Sequence, residues 1–331
     1  MKVKRSKKAK ALALFSGGLD STLAAKLILN QGVDVEGITI ITPFPGCERY
    51  AALSAKQLGI KHHIIFAGSD YVRIVKNPKY GYGSAMNPCM DCKIYFFKIA
   101  KKLMGKIGAS FIVTGEVLGQ RPMSQMKRQI ELIERKSGLS RLIVRPLCVK
   151  LFPQSIPERK GIIDRSKLLG ISGRSRKIQM KLAKKYKLKY SSPGGGCILT
   201  DANFARKLRD LFAHKKRITV RDVQLLKIGR HFRIDKSKII VGRNEDENRI
   251  LASYGERMKK MEVIDYVGPI TIIENPTKNA ISIAADLTAY YSDAKHSRIG
   301  SQISLEYNSQ NIKTKLKSKK YINDLVEKHK I

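Results

Sequence analysis

The first half of the chain alternates between short apolar runs and longer stretches in which apolar residues recur at helical spacing. The short runs are rich in aliphatic and β-branched residues, which is typical of buried parallel strands. Five of them occur before residue 150, at 11–15, 33–41, 62–66, 111–113 and 142–144. Between the first two, Leu19, Leu23 and Leu27 form a stripe that ends before Gly32 and predicts a helix. This alternation predicts an α/β fold with a doubly wound parallel five-stranded sheet.

Further helices are expected over residues 47–58 and 87–106, and another begins near residue 177. Residues 70–86 have a different character, because a proline and two glycines stand among tyrosines. We expect an irregular segment there. A loop of that length is usually functional, for example as a flap over a site.

The pattern changes again near residue 205. Short strands are predicted beyond it, with a hairpin around residues 235–238, a strand over 239–244 and a helix over 247–254. A chain of 331 residues is long enough for two domains. The expected organisation is a basic tail over 1–9, a first domain over 10–204 and a smaller α+β domain over 205–331.

The turn between the first strand and the first helix has the sequence Ser16-Gly17-Gly18-Leu19-Asp20-Ser21. Its glycines allow a ligand to approach the backbone, and the start of a helix favours phosphate. Asp20 beside a phosphate indicates Mg²⁺. The sequence resembles the PP-loop of the N-type ATP pyrophosphatases, which cleave ATP between its α and β phosphates. The resemblance implies that ATP and Mg²⁺ bind at Ser16, Gly17, Gly18, Asp20 and Ser21, with Asp20 also catalytic.

A second motif, Thr114-Gly115-Glu116-Val117-Leu118-Gly119-Gln120, follows the fourth predicted strand. Ligands of open parallel sheets bind at the carboxyl ends of the strands. Together with Ser124-Gln125 and Arg145-Pro146-Leu147, the motif resembles the signature of the tRNA 4-thiouridine synthetases. The resemblance implies that Gly115, Glu116 and Gln120 complete the ATP site. It also implies that the protein adenylates a uridine carbonyl oxygen of tRNA before sulfur attacks that carbon.

The cysteine content is five, an odd number, and no secretory signal is predicted, which argues against a disulfide framework. Cys89 and Cys92 stand at the start of a predicted helix, where the helix dipole should lower the pKa of a thiol. Cys197 ends a proline- and glycine-rich arm over residues 191–197, which could present a thiol to a site. Catalytic roles are therefore expected for these three cysteines.

Three alternatives remain for the chemistry of these cysteines. Their spacing resembles that of thiouridylases that hold a [4Fe-4S] cluster by three cysteines, and this is the preferred expectation. A persulfide on Cys89 or Cys92, resolved by Cys197, would need no metal. Structural zinc would need a fourth ligand such as Cys148 or a histidine. Cys47 is expected only to pack. The sulfur donor would be sulfide or a persulfide carrier.

The formal net charge is +38, from 65 Lys and Arg against 27 Asp and Glu. Nucleic acid is the usual partner of such a chain, although a lysine-biased proteome would also give solvated basic faces. Arg174 and Arg176 could hold phosphates or simply start a helix. On a strand, four alternating lysines would share one face, as an RNA surface or as protection of a sheet edge: Lys313, Lys315, Lys317 and Lys319. Residues 241–248 and 265–269 resemble the RNA-binding R domain of NFACT proteins.

The apolar runs are too short to span a membrane or to form a signal peptide, so we expect a cytoplasmic protein without a membrane partner. Two other functions share part of these features. A tRNA lysidine-type ligase would use the same ATP motif without the three-cysteine site. A non-catalytic RNA-binding protein would carry a degenerate PP-loop.

Overall fold

The computed structural model describes residues 9–44, 48–190, 196–254 and 258–331. Cys47, residues 1–8 and the arm over residues 191–195 lie outside that description. The chain divides into two compact units, Met1–Asp201 and Ala202–Ile331.

The first unit is built on a parallel five-stranded sheet with the order β3-β2-β1-β4-β5. Its strands are β1 Lys10–Leu14, β2 Asp34–Ile41, β3 His62–Phe66, β4 Phe111–Thr114 and β5 Ile143–Val144. The strand order reverses between β1 and β4, which pair in register from Ala11 with Phe111 to Leu14 with Thr114. The predicted doubly wound sheet is therefore confirmed. Its switch point places the loops after β1 and β4 side by side.

Helices cover both faces of this sheet. They are α1 Leu19–Leu29, α2 Glu48–Leu58, α3 Ser69–Lys76, α4 Cys89–Ile107, α5 Lys127–Ser137, α6 Ile156–Arg159 and α7 Lys177–Lys185. Along β1, Ala11 and Ala13 pack with residues of α1, whereas Leu12 packs with residues of α4 and α5. Because side chains alternate between faces, one apolar strand contributes to both layers of the core.

The expectation of an irregular segment over residues 70–86 is wrong for its first part. Helix α3 occupies Ser69–Lys76 and buries Tyr71, Val72 and Val75 against the domain. Those three positions are spaced for one helical face, and this face determines the structure of the segment. The proline and glycines lie beyond the helix, from residue 78 onward.

The second unit contains a six-stranded antiparallel sheet with the order β11-β10-β8-β9-β7-β6. Its strands are β6 Arg230–Ile234, β7 Ser237–Val241, β8 Lys259–Val263, β9 Thr271–Glu274, β10 Gln302–Tyr307 and β11 Gln310–Lys315. The β6–β7 pair forms the predicted hairpin, with Asp235 at a φ of 50° in its turn.

Five α-helices accompany this sheet in the described residues: α8 Ala202–His214, α9 Val220–Leu225, α10 Glu245–Ala252, α11 Lys278–Tyr290 and α12 Lys319–His329. Helix α11 packs on one face with Ala284 and Leu287 against Ile239. Leu225 and Leu251 pack on the other face with Ile240. The two helices that precede the sheet, α8 and α9, were not expected from the sequence.

The prediction that four lysines share one strand face is wrong for two of them. Strand β11 ends at Lys315, so only Lys313 and Lys315 lie on it. Lys317 approaches Asp286 to 3.9 Å, and Lys319 is the first residue of α12. Ser318 caps that helix by accepting a hydrogen bond from the Tyr321 amide, so the chain leaves the sheet. Strand β11 does lie at the edge of the sheet.

No helix within the described ranges is long and apolar enough to cross a bilayer.

Candidate active site

The turn after β1 is held in a conformation that requires glycine. Gly17 has a φ of 71°, and a Cβ atom there would lie 2.4 Å from the Tyr50 carbonyl carbon and the Ala51 amide nitrogen. The Ser54 hydroxyl donates to the Gly17 carbonyl oxygen at 3.2 Å. Helix α2 thus packs directly on the loop. No described side chain caps the start of α1, which leaves its first-turn N–H groups for a ligand.

The segment after β4 packs on the same loop. A Cβ atom at Gly115 would lie 2.4 Å from the Asp20 carbonyl carbon and 2.5 Å from the Ser21 amide nitrogen. Gly115 therefore allows the backbone of the second motif to contact the first turn of α1. The two motifs that the sequence separates by about a hundred residues form one surface.

Asp20 lies at the centre of that surface. Gln120 Nε2 donates to Asp20 Oδ2 at 2.9 Å, and Arg176 Nε lies 3.8 Å from the same oxygen. Asp20 Oδ1 and Gln120 Oε1 are buried without a hydrogen-bond partner, as are Ser124 Oγ and Gln125 Oε1. All four residues line one cavity. Unpaired buried oxygens are costly, and hard oxygen donors beside a phosphate site fit Mg²⁺.

The Glu116 carboxylate is occupied by protein cations. It pairs with Lys93 and accepts a hydrogen bond from Arg145 Nε at 3.0 Å. Burial alone would raise the pKa of Glu116, but the charges of Lys93 and Arg145 outweigh burial and lower that pKa to about 2. Arg145 also pairs with Glu134, and Cys148 Sγ donates to the Glu116 carbonyl oxygen at 3.2 Å. The predicted ATP ligand Glu116 therefore positions Lys93, whose side chain lines the cavity.

The three predicted catalytic cysteines line this same cavity, which has a volume of about 440 Å³. Cys89 is the first residue of α4, and Cys92 follows one turn later. The segment around Cys197 is attached to the domain where the Met86 amide donates to the Leu199 carbonyl oxygen at 3.0 Å. The structure thus brings together the cysteines and Ser16, Asp20 and Ser21.

The expectation of a low pKa at the helix start is wrong for Cys92. Its Sγ is hydrogen-bonded to the buried Tyr71 hydroxyl at 2.5 Å. Burial raises the pKa of the Cys92 thiol to about 12, and the neighbouring Cys197 and Cys89 thiols add to this effect. Burial also raises the pKa of the Cys197 thiol. Burial therefore keeps the pKa of the Cys92 thiol high although Cys92 lies in the first turn of α4.

In the part of the chain that the structure describes, no three His, Cys, Asp or Glu side chains are grouped to hold a metal ion. The zinc alternative stays a prediction. Cys148 is fully buried and bonded to the Glu116 carbonyl oxygen. Burial raises the pKa of its thiol to about 11. The three-cysteine cluster stays a prediction.

The two predicted arginines are placed differently. Arg176 lies next to Asp20, because Gly173 donates to the Leu118 carbonyl oxygen at 2.8 Å and anchors its segment to the second motif. Arg174 is exposed. The lysines at 313–319 belong to the other unit.

Sequence reasoning missed two residues of the site. Lys93 stands four residues after Cys89, so the helical period puts it on the same face. That spacing could have identified it. Tyr71 lies in the segment for which no helix was expected, and no local signal links it to Cys92.

Comparisons with known families match two separate parts of the chain. Residues 6–151 match the model of the thiamine biosynthesis protein (ThiI) family. Residues 229–329 match the NFACT protein RNA binding domain.

Among similar proteins, a probable tRNA sulfurtransferase of Ureaplasma urealyticum is 37% identical over 117 residues, 34% of this chain and 30% of that protein. A tRNA-specific 2-thiouridylase MnmA of Pelobacter propionicus is 32% identical over 116 residues, 32% of this chain and 33% of that protein. The MnmA of Caldicellulosiruptor saccharolyticus is 28% identical over 224 residues, 60% of this chain and 58% of that protein.

The chain therefore spans about a third of the length of the first two of these relatives. The turn that requires glycine at Gly17 and the contact of Gly115 with Asp20 both lie within residues 6–151, the range similar to ThiI. The chain is therefore similar to the ThiI family in its first part and to the NFACT protein RNA binding domain in its second.

Proposed function

We propose that this protein is an ATP-dependent tRNA sulfurtransferase that thiolates a uridine. One observation carries the proposal: Asp20 of the PP-loop and the thiols of Cys89, Cys92 and Cys197 line the same cavity. An adenylation site and a sulfur site that share a cavity hold both reactants in place for the second step. The similarity of residues 6–151 to ThiI supports this class of enzyme.

The first step activates the uridine. Its carbonyl oxygen attacks the α-phosphorus of ATP, pyrophosphate leaves, and the uridine carbon acquires AMP as a leaving group. The uncapped N–H groups at the start of α1 would bind the phosphates, and Arg176, 3.8 Å from Asp20 Oδ2, adds positive charge beside them. Mg²⁺, held by Asp20 Oδ1 and Gln120 Oε1, would neutralise charge on the leaving pyrophosphate. Lys93, which pairs with Glu116, can stabilise negative charge on the phosphates.

For the sulfur step, we assign the carrier role to Cys89 and the resolving role to Cys197. Both are half-buried, whereas Cys92 is buried and hydrogen-bonded to Tyr71. A persulfide carrier transfers its outer sulfur to the Cys89 thiolate and departs as a thiol. This route needs one accessible thiol and one resolving thiol. A [4Fe-4S] cluster, the alternative carrier, needs three thiolates around one group.

The outer sulfur of the Cys89 persulfide then attacks the adenylated carbon and AMP leaves. Cys197, after losing its proton to solvent, attacks the inner sulfur of Cys89. The bond between the two persulfide sulfurs breaks, the outer sulfur stays on the uridine as the thiocarbonyl, and a Cys89–Cys197 disulfide forms. A dithiol reductant supplies two electrons and returns both thiols.

The test of the adenylation step is pyrophosphate release from ATP in the presence of tRNA. Asp20→Asn removes the charge but keeps the shape of the side chain, and we expect release to fall at least about a hundredfold. Asp34→Asn is the matched control, because Asp34 is half-exposed at the start of β2 and outside the cavity lining. Normal release by a folded Asp20→Asn variant would refute the assignment.

A further inference from the structure

The C-terminal unit contains a second and larger cavity, with a volume of about 930 Å³. Its charged lining consists of five basic side chains, one histidine and two carboxylates: Arg230, Arg243, Lys295, Lys317, Lys319, His296, Glu245 and Asp293. The excess of positive charge favours an anionic ligand.

Arg230 is the cation that is best prepared for such a ligand. Its Nη1 donates to the Gly242 carbonyl oxygen at 3.0 Å, and its guanidinium carbon lies 4.3 Å from the centre of the Tyr291 ring. The ring and the hydrogen bond fix the guanidinium plane. An arginine has five N–H donors, and the described hydrogen bond of Arg230 goes to a backbone carbonyl oxygen and not to a carboxylate. Most of its donors therefore remain for phosphate oxygens.

Residues 241–248, which resemble part of the R domain of NFACT proteins, form part of the wall of this cavity. Asn248 Nδ2 donates to the Gly268 carbonyl oxygen at 3.2 Å, and its Oδ1 accepts from the Ile270 amide at 3.0 Å. A Cβ atom at Gly242 would lie 2.0 Å from Asn248 Oδ1, so glycine is needed there. Asn244 caps α10 by accepting from the Glu247 amide at 3.0 Å. These residues hold the wall in place.

Aromatic and apolar side chains complete the lining. Tyr290 and Tyr291 form an edge-to-face pair with ring centres 5.4 Å apart. Val267 is 80% exposed and Ile299 is 66% exposed, and both line the cavity. Exposed apolar groups beside cations suit a ligand that has both flat apolar faces and negative charge. Unpaired nucleotides have both, whereas the bases of a duplex are stacked inside it.

We propose that this cavity binds unpaired nucleotides of an RNA, with Arg230 and Lys295 facing phosphates and the tyrosine pair and apolar side chains facing bases. The identification of the ligand as RNA rests on the proposed function. Lys313 and Lys315 stand on the edge strand β11 and do not line the cavity. The proposal places the main RNA contact of this unit at the cavity and not at Lys313 and Lys315.

The test compares two double variants of equal charge change in the full-length protein. Arg230→Gln/Lys295→Gln alters the cavity, and Lys313→Gln/Lys315→Gln alters the edge strand. Binding of a labelled single-stranded oligouridylate of about twelve nucleotides is measured by fluorescence anisotropy at several salt concentrations. The cavity variant should bind about tenfold more weakly, and its log–log salt slope should fall by about 1.4 for two lost phosphate contacts. The edge variant should stay within about twofold of the unaltered protein.

Circular dichroism melting shows whether each variant is folded. Unchanged binding by a folded cavity variant, or an equal loss from both variants, would overturn the proposal. Equal competition by polyglutamate of matched charge would also overturn it, in favour of an acidic protein partner. Because the binding assay contains no ATP, a result against the cavity does not bear on the proposed adenylation step. Conversely, the Asp20→Asn variant should bind the oligouridylate normally, whatever its rate of pyrophosphate release shows about the adenylation step.

Discussion

Glu116 connects the stability of the first unit to its active site, and Glu116→Gln tests this role. The substitution keeps the size of the side chain but removes the charge that pairs with Lys93 and Arg145. Arg145 is 4% exposed and would keep only Glu134 as a partner. One member of an ion network is therefore lost while the Arg145 cation stays buried, which is a costly change.

The magnitude follows from the pKa of Glu116, which is lowered from 4.5 to about 2. A shift of that size corresponds to about 3 kcal/mol of stability at neutral pH. For a unit of this length, we expect the melting temperature to fall by roughly 6 to 12 °C. Because the folded pKa lies below the unfolded one, the contribution is present above the unfolded pKa and is lost as pH falls through the folded value. The difference between the two proteins should shrink by about 2 kcal/mol between pH 7 and pH 3.

The assay is thermal and urea unfolding followed by circular dichroism, since the chain has no tryptophan. Glu131→Gln is the matched control, because Glu131 is exposed on α5 and the chemical change is identical; its effect should stay within about 0.5 kcal/mol. If Glu116→Gln unfolds like the control at pH 7, or if its deficit does not depend on pH, the ion network does not stabilise the unit as described.

The remaining predictions concern the sulfur carrier and the contact between the two motifs. Under the persulfide route, Cys89→Ser abolishes thiolation, Cys197→Ser without added dithiol stops with the uridine linked through sulfur to Cys89, and Cys92→Ser retains at least about a tenth of the activity. Protein purified without oxygen should then contain well under one iron per chain. Equal loss from all three variants with about four irons per chain would instead establish the cluster. Gly115→Ala should abolish pyrophosphate release, because its Cβ atom would lie 2.4 Å from the Asp20 backbone. The control is Gly105→Ala on α4, where nothing lies within 4 Å of the added Cβ atom; it should leave pyrophosphate release unchanged and stabilise the helix slightly. A comparable loss of pyrophosphate release in both variants would contradict the packing described.

The sequence was sufficient for the parts of the fold that depend on local pattern. The apolar run before Ser16 and the helical stripe after it identify a strand-turn-helix unit. Strands β1 and β4 are adjacent, which puts Gly115 against Asp20. No local spacing in the sequence indicates this contact, and only the resemblance of both motifs to known families predicted that they form one site.

The errors have a common physical origin, which is that tertiary surroundings outweigh local tendencies. The helix start favours a thiolate at Cys92, but burial raises the pKa of that thiol and outweighs the hydrogen bond with Tyr71, which lowers it. The alternating lysines continue a strand pattern beyond Lys315, yet Leu316 is buried and Ser318 caps a helix. The capping serine was a local signal that the charge pattern obscured.

The central claim, that the PP-loop and the cysteines act on one RNA substrate in one cavity, is tested most directly by mass spectrometry of the nucleosides of a tRNA incubated with the protein. The reaction contains ATP, Mg²⁺, a dithiol reductant and a persulfide donor. We predict thiouridine from the unaltered protein, adenylation without thiouridine from Cys89→Ser, and neither from Asp20→Asn. Thiouridine formed by Cys89→Ser, or formed without ATP, would contradict the account.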